Sequence, residues 1–238
     1  MKRTQRAPSK RHGVYTETSP ATSRAGKGGS DSLRSTAYET IKHQIITCAL
    51  SPGEYVNEAG LCAQLGLGRT PVHQALQRLM LEGLVEIMPR KGAIVKPISL
   101  DEILQIIEVR LVNETYCARL VAERADDRAI RDLEDILQRA RQAIRSRNVE
   151  QSMLCDREFH TTFARSAGNA VLSELLRRLH ERSLRFWFIS LRAADHHKSV
   201  QDQHEAILDA LRKHDPARAE AAVRAHIESF RDNIKRSL

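Results

Sequence analysis

Aromatic side chains are scarce in this sequence, with one Trp, four Tyr and five Phe among 238 residues. Any buried core must therefore rest on aliphatic residues, whose spacing can be followed directly. There are only four cysteines, Cys48, Cys62, Cys117 and Cys155, spread through periodic apolar segments without close pairing. This excludes a disulfide framework and reads as reduced, buried residues of a cytoplasmic protein. No stretch approaches the roughly eighteen consecutive apolar residues of a membrane span. The N-terminal stretch has basic residues but no apolar run, so a secretory signal is not expected either. No repeat of fixed period is present.

What is present is charge. The net charge of +8 and pI near 9.6 point to a polyanionic partner. Residues 1–32 hold seven Lys or Arg against Glu17 and Asp31, and so carry five of those eight charges. This stretch is rich in Ser, Thr, Gly and Pro, with little to bury, and is expected to be a disordered basic arm. It either follows DNA phosphates or is a solvated tail.

From residue 33 the pattern is that of folded protein. Ala37, Ile41, Ile45 and Cys48 mark one helical face, and Ser51-Pro52-Gly53 ends it. Residues 58–65 read as a second helix, Gly66 and Gly68 bracket a tight turn, and residues 70–82 read as a third. Val72, Ala75, Leu76 and Leu79 form its inner face. Residues 84–88 and 93–96 are β-prone runs around Pro89-Arg90-Lys91-Gly92, a hairpin with a basic tip. Two helices across a glycine turn, followed by a hairpin, form a winged helix-turn-helix over 33–97. In such a fold the later helix enters a DNA major groove.

Pro52-Gly53, Asn57-Glu58, Leu65-Gly66, Arg69-Thr70-Pro71-Val72, Ala75-Leu76, Leu79, Glu82-Gly83-Leu84-Val85 and Arg90-Lys91-Gly92 fall in register. Together they resemble the winged helix-turn-helix of the GntR family of bacterial regulators. The resemblance implies operator DNA as partner and Arg69 as its first contact. Ala59 and His73 stand where the family usually has DNA-contacting arginines. His73 can still read a base edge but brings less charge. Thr70, Gln74, Arg78, Arg90 and Lys91 complete the candidate contact set.

Ser99 is an N-cap candidate, and from there to residue 238 every segment has helical period. Helices are expected near 100–125, 127–146, 149–166, 169–193, 198–213 and 216–236. The fold class is therefore mainly α: a winged helix-turn-helix, then an antiparallel helical bundle over 98–238. Asp156 and His160, four residues apart, share one helix face, and His204 and His226 lie on inward-looking sides of later helices. Three imidazoles and a carboxylate suit a divalent ion such as zinc, nickel, manganese or iron(II). Scattered, hydrogen-bonded core histidines give the same pattern.

This half resembles the FCD ligand-binding domain of the FadR subfamily. That domain commonly holds a metal on an Asp, a His four residues later and two His of the last two helices. Asp156, His160, His204 and His226 match these positions, with zinc as the first expectation. The resemblance further implies a homodimer and a small organic acid effector. Arg110 matches an arginine that faces the family's cavity, and can pair bidentately with a carboxylate. Repression relieved by the effector is the expected mechanism. An architectural DNA-binder with a structural metal is the alternative. A metal hydrolase is a weaker one, because Glu158 turns away from the proposed ligands.

Overall fold

The computed structural model describes residues 27–89, 92–97, 99–190 and 195–236, with side chains over 32–89, 92–97, 99–186 and 199–236. Among these, nine α-helices and one three-stranded sheet form two bodies, each around its own apolar cluster.

The first body begins with α1 (Lys27–Ile46), followed by α2 (Glu58–Leu65) and α3 (Arg69–Leu81). Ala37, Ile41 and Ile45 of α1 pack against Val72, Ala75, Leu76 and Leu79 of α3. Helix α1 thus starts inside the stretch 1–32 that composition assigns to a disordered arm. Composition reports what can be buried, whereas a helix nucleated by packing extends outward at little cost per residue. Residues 32–36 are exposed, in keeping with that origin. The Arg90–Lys91 tip and the rest of the basic arm lie outside the described residues.

Asn57 caps α2 by accepting from the Ala59 N–H, and Gly66 ends it in the left-handed conformation. Strands β2 (Val85–Met88) and β3 (Gly92–Val95) pair antiparallel, Val85 opposite Val95. Strand β1 (Tyr55–Val56) adds to the outer edge of β3. Two residues have no period to detect, so β1 is invisible in the sequence. Gly92 permits the close approach: its φ is 100° and a Cβ would stand 2.6 Å from the Val56 carbonyl oxygen.

The second body holds α4 (Leu100–Arg124), α5 (Asp127–Arg145), α6 (Val149–Ser166), α7 (Ala170–Ser190), α8 (Asp195–Arg212) and α9 (Pro216–Arg236). Ser99 caps α4 as expected, accepting from the Glu102 N–H, and Asp126 and Asn148 cap α5 and α6. Helix α4 runs through the centre, packed on α9, α7 and α6. Helix α1 reaches this body too: Ile46 joins its core, and α1 packs on α7. None of the described helices is long and apolar enough to cross a membrane.

Candidate functional site

Helix periodicity explains why four helices send polar groups to one place. On α6, Asp156 and His160 are four residues apart, beside the apolar Phe159 and Phe163 that seat the helix in the core. His204 of α8 and His226 of α9 interrupt the same kind of apolar face. The ring centroids of His160 lie 5.2 Å from His204 and 5.3 Å from His226, and those of His204 and His226 are 4.7 Å apart. All three rings and Asp156 are buried.

Asp156 is the centre of this arrangement. Its Oδ1 lies 3.9 Å from His160 Nε2 and 3.8 Å from His204 Nε2, and its Oδ2 lies 3.4 Å from His180 Nε2. Yet neither carboxylate oxygen has a hydrogen-bond partner, nor does His204 Nε2 or either nitrogen of His180. Buried polar groups are nearly always satisfied, so a carboxylate and imidazoles left in this condition fit a metal ion. Ligand atoms about 2.0–2.2 Å from a metal stand roughly 3–3.5 Å from one another, a range that includes the His180 contact and lies a little below the other two.

The donors form two overlapping groups, one of His160, His204 and His226 and one of Asp156, His160 and His180. Burial, with neighbouring His180, His204, His226 and Arg110, drives the His160 pKa well below its usual value. Burial lowers that of His204 as well, against the pull of Asp156. Both rings are therefore neutral near pH 7, the form that binds a metal.

The orientation of His226 follows from its neighbour. Gln203 donates its amide hydrogens to Ser229 Oγ at 2.9 Å and Ser199 Oγ at 3.2 Å, which turns its Oε1 toward His226 Nδ1, 3.0 Å away. Nδ1–H is then the donor to Gln203. A metal would then be held through Nε2, with Gln203 as the usual outer-shell partner.

Arg110 faces the same cavity but is already engaged. Its Nε donates to Glu114 Oε1 at 2.5 Å, Nη2 approaches Glu114 Oε2 at 3.5 Å, and Nη1 donates to Ser183 Oγ at 3.1 Å. The cavity lined by Arg110, Asp156, His160, His180, Ser183 and His226 measures about 10 Å³, room for one water-sized body. Glu158 lies on the exposed side of α6, paired with Arg139 at 2.7 Å.

The structure brings together Asp156, His160, His204 and His226, the set that the family resemblance implies, while nothing in the sequence points to His180, 24 residues after Asp156 on another helix. Glu114 was within reach, since it follows Arg110 by the four residues of a helical ion pair.

On the winged helix, Arg69, Thr70, His73 and Gln74 form an exposed stripe opposite the buried face of α3. Gly68 gives α3 no side-chain cap, which leaves its first N–H groups open to phosphate. His73 is held by Glu58 of α2, 2.8 Å from its Nδ1. Arg78 differs from the rest of the set: it stacks on the Tyr38 ring at 3.6 Å and pairs with Glu82 at 3.5 Å, toward the second body.

The "Bacterial regulatory proteins, gntR family" model matches residues 33–95, and the FCD domain model matches residues 105–229. The Nta operon transcriptional regulator of Aminobacter aminovorans is 31% identical over 183 residues, 77% of this chain and 85% of that protein. The gluconate operon transcriptional repressor of Bacillus licheniformis is 26% identical over 180 residues, 74% of each. In structure, E. coli McbR/YncC superposes with a TM-score of 0.78 at 21% identity, over 86% of this chain and 98% of that one. The chain belongs to the GntR family of bacterial regulatory proteins, with an FCD domain as its helical half, and is a transcriptional regulator rather than an enzyme.

Proposed function

We propose that this regulator is a homodimeric repressor that reads a near-palindromic operator with α3, and whose FCD half holds a divalent ion on Asp156, His160, His204 and His226. The observation that carries the metal is the buried Asp156 carboxylate, both oxygens unpartnered, facing neutral imidazoles. When bound, the ion offers an open position to an anionic oxygen. Arg110 supplies the second anchor for a small organic acid. Its charge is shared with Glu114, so an incoming carboxylate competes with that pair rather than meeting a free cation. The Bacillus licheniformis relative is named for an operon of gluconate, a carboxylic acid, which agrees with this ligand class.

DNA binding is tested at Arg69. With a duplex that the wild-type protein selects from a random pool, Arg69→Ala should weaken binding by about 1–3 kcal/mol, roughly fivefold or more. The melting temperature should not move, because Arg69 is exposed. Unchanged affinity removes it from the contact set.

The effector is tested with metal-loaded protein and a panel of small mono- and dicarboxylic acids. A true ligand raises the melting temperature in proportion to the logarithm of its concentration, by mass action. The small cavity favours a second reading, a structural metal without effector. That reading stands if no acid in the panel shifts the transition.

A further inference from the structure

His180 and Glu181 are neighbours on α7 that face different bodies. On a helix, consecutive side chains point about 100° apart, whereas positions four apart share a face. His180 and Ser183 turn to the cavity, His180 stacked on His160 with centroids 4.3 Å apart. Arg177, Glu181 and Arg185, at four-residue intervals, turn to the winged helix and its connection. Arg177 pairs with Glu82 at 3.5 Å, and Arg185 donates to the Lys96 carbonyl at 2.7 Å. Helix α6 repeats the device: Asp156 faces the cavity, while Arg157 pairs with Glu181 at 2.7 Å and with Glu39 of α1 at 3.6 Å.

These contacts meet on Lys42 of α1, which is 1% exposed. Its ammonium lies 3.1 Å from Glu181 Oε1 and 2.9 Å from Glu82 Oε2, and it donates to Tyr38 Oη at 2.7 Å. Glu82 is the C-terminal cap of α3, the helix that carries Arg69. An unbroken path of buried charges thus runs from α7 to the end of the DNA-reading helix. The groove of about 680 Å³ beside it is lined by five arginines and five glutamates, and neither donor group found among the described residues lies in it. The metal centre lies elsewhere, in the cavity among α4, α6, α7, α8 and α9.

We propose that His180 is a fifth protein donor to the metal and that, through Glu181 beside it, occupancy of the centre fixes the hold of α7 on α1 and α3. This rests on the metal reading above. Two observations carry it. Both ring nitrogens of His180 are buried and unpartnered, and Nε2 lies 3.4 Å from Asp156 Oδ2, whereas His160 and His204 approach Oδ1. And α7 supplies His180, Ser183 and Leu184 to a cavity with room for a single water-sized body, so an organic acid is admitted only if a wall such as α7 gives way. Five donors exceed a tetrahedron, so the centre suits a five- or six-coordinate ion such as nickel, manganese or iron(II) better than closed tetrahedral zinc.

Hydrogen exchange on the full-length protein, with zinc(II) or nickel(II) against a chelator, reads this without knowledge of operator or effector. In the wild type, the ion should slow exchange in α6, α8 and α9, and also in α7, in α1 near Lys42 and at the end of α3. The slowing at α1 and α3 should be about fivefold, the low end of typical coupling. His180→Leu keeps the volume and loses no hydrogen bond. It should retain the slowing in α6, α8 and α9 but lose it in α7, α1 and α3. Glu181→Gln should retain it through α7 and lose it in α1 and α3, with Arg157→Gln as the same cut should that variant not fold.

Slowing that persists in α7 of His180→Leu overturns the fifth donor. Slowing confined to α6, α8 and α9 in the wild type, or undiminished in α1 and α3 of the Glu181 or Arg157 variant, overturns the relay and leaves the metal in place. No slowing in α6, α8 or α9 with either ion removes the metal, and the relay with it.

Discussion

Replacing Lys42 with methionine should lower stability by about 3 kcal/mol, the low end for breaking a buried pair. For a chain of this size that is a fall of roughly 6–12 °C in melting temperature. The cost arises because Glu82 and Glu181, both buried, lose a shared ammonium; Glu82 keeps the Tyr38 hydroxyl, Arg78 and Arg177, and Glu181 keeps Arg157. Methionine preserves the packing of the aliphatic stem, so the loss measures the charge. Its pH dependence identifies the source. Burial pushes the Glu82 carboxyl up, but Lys42, the Tyr38 hydroxyl and Arg177 outweigh that and hold its pKa below the usual glutamate value. A carboxylate with depressed folded-state pKa stabilises fully above its unfolded value and loses that contribution as pH falls through the folded one. The gap between wild type and Lys42→Met is therefore full at pH 7 and closes below about pH 4.5. A gap that is flat with pH assigns the loss to packing. In the double variant Lys42→Met/Glu181→Gln part of the loss should return, since one stranded carboxylate is then neutral.

Such a hub was not legible in the sequence. Lys42 falls beside Ile41 on the inner side of α1, where four-residue spacing of apolar residues is read and a lysine is taken as solvated. Only tertiary packing gives it two carboxylates, Glu82 at the end of α3 and Glu181 of α7, 40 and 139 positions away. The winged helix, by contrast, could be read nearly residue by residue, because its fold depends on local signals: the Asn57 cap, the Gly66 left-handed turn and the four-residue spacing of α3. The spacing also placed the helices of the second body within a few residues of their ends. It failed at β1, too short for any period, and at the start of α1, which extends on propagation rather than burial.

The candidate centre divides along the same line. Asp156 and His160 are visible because one helix joins them, and His204 and His226 because a matching family pattern does. His180 has neither cue. Arg78 carries a charge that reads as a DNA contact on α3, yet tertiary packing places it over the Tyr38 ring. A side chain's periodicity gives its helix face but not which body lies opposite that face.

His160→Ala should reduce bound metal from about one ion per chain to a trace, measured by elemental analysis after exhaustive dialysis. Among the donors, His160 alone belongs to both overlapping groups, so its removal opens both halves of the five-donor centre at once. His226→Ala breaks only the first group and His180→Leu only the second, so each should bind more weakly but not lose the ion altogether. The order His160 first, His226 and His180 after, is specific to the observed geometry. A set of unrelated core histidines predicts no metal in any of the proteins and a stability loss that follows the size of each void. Full retention of metal by His160→Ala would sink the centre, and equal loss from all three variants would mean that the donors act as one indivisible shell.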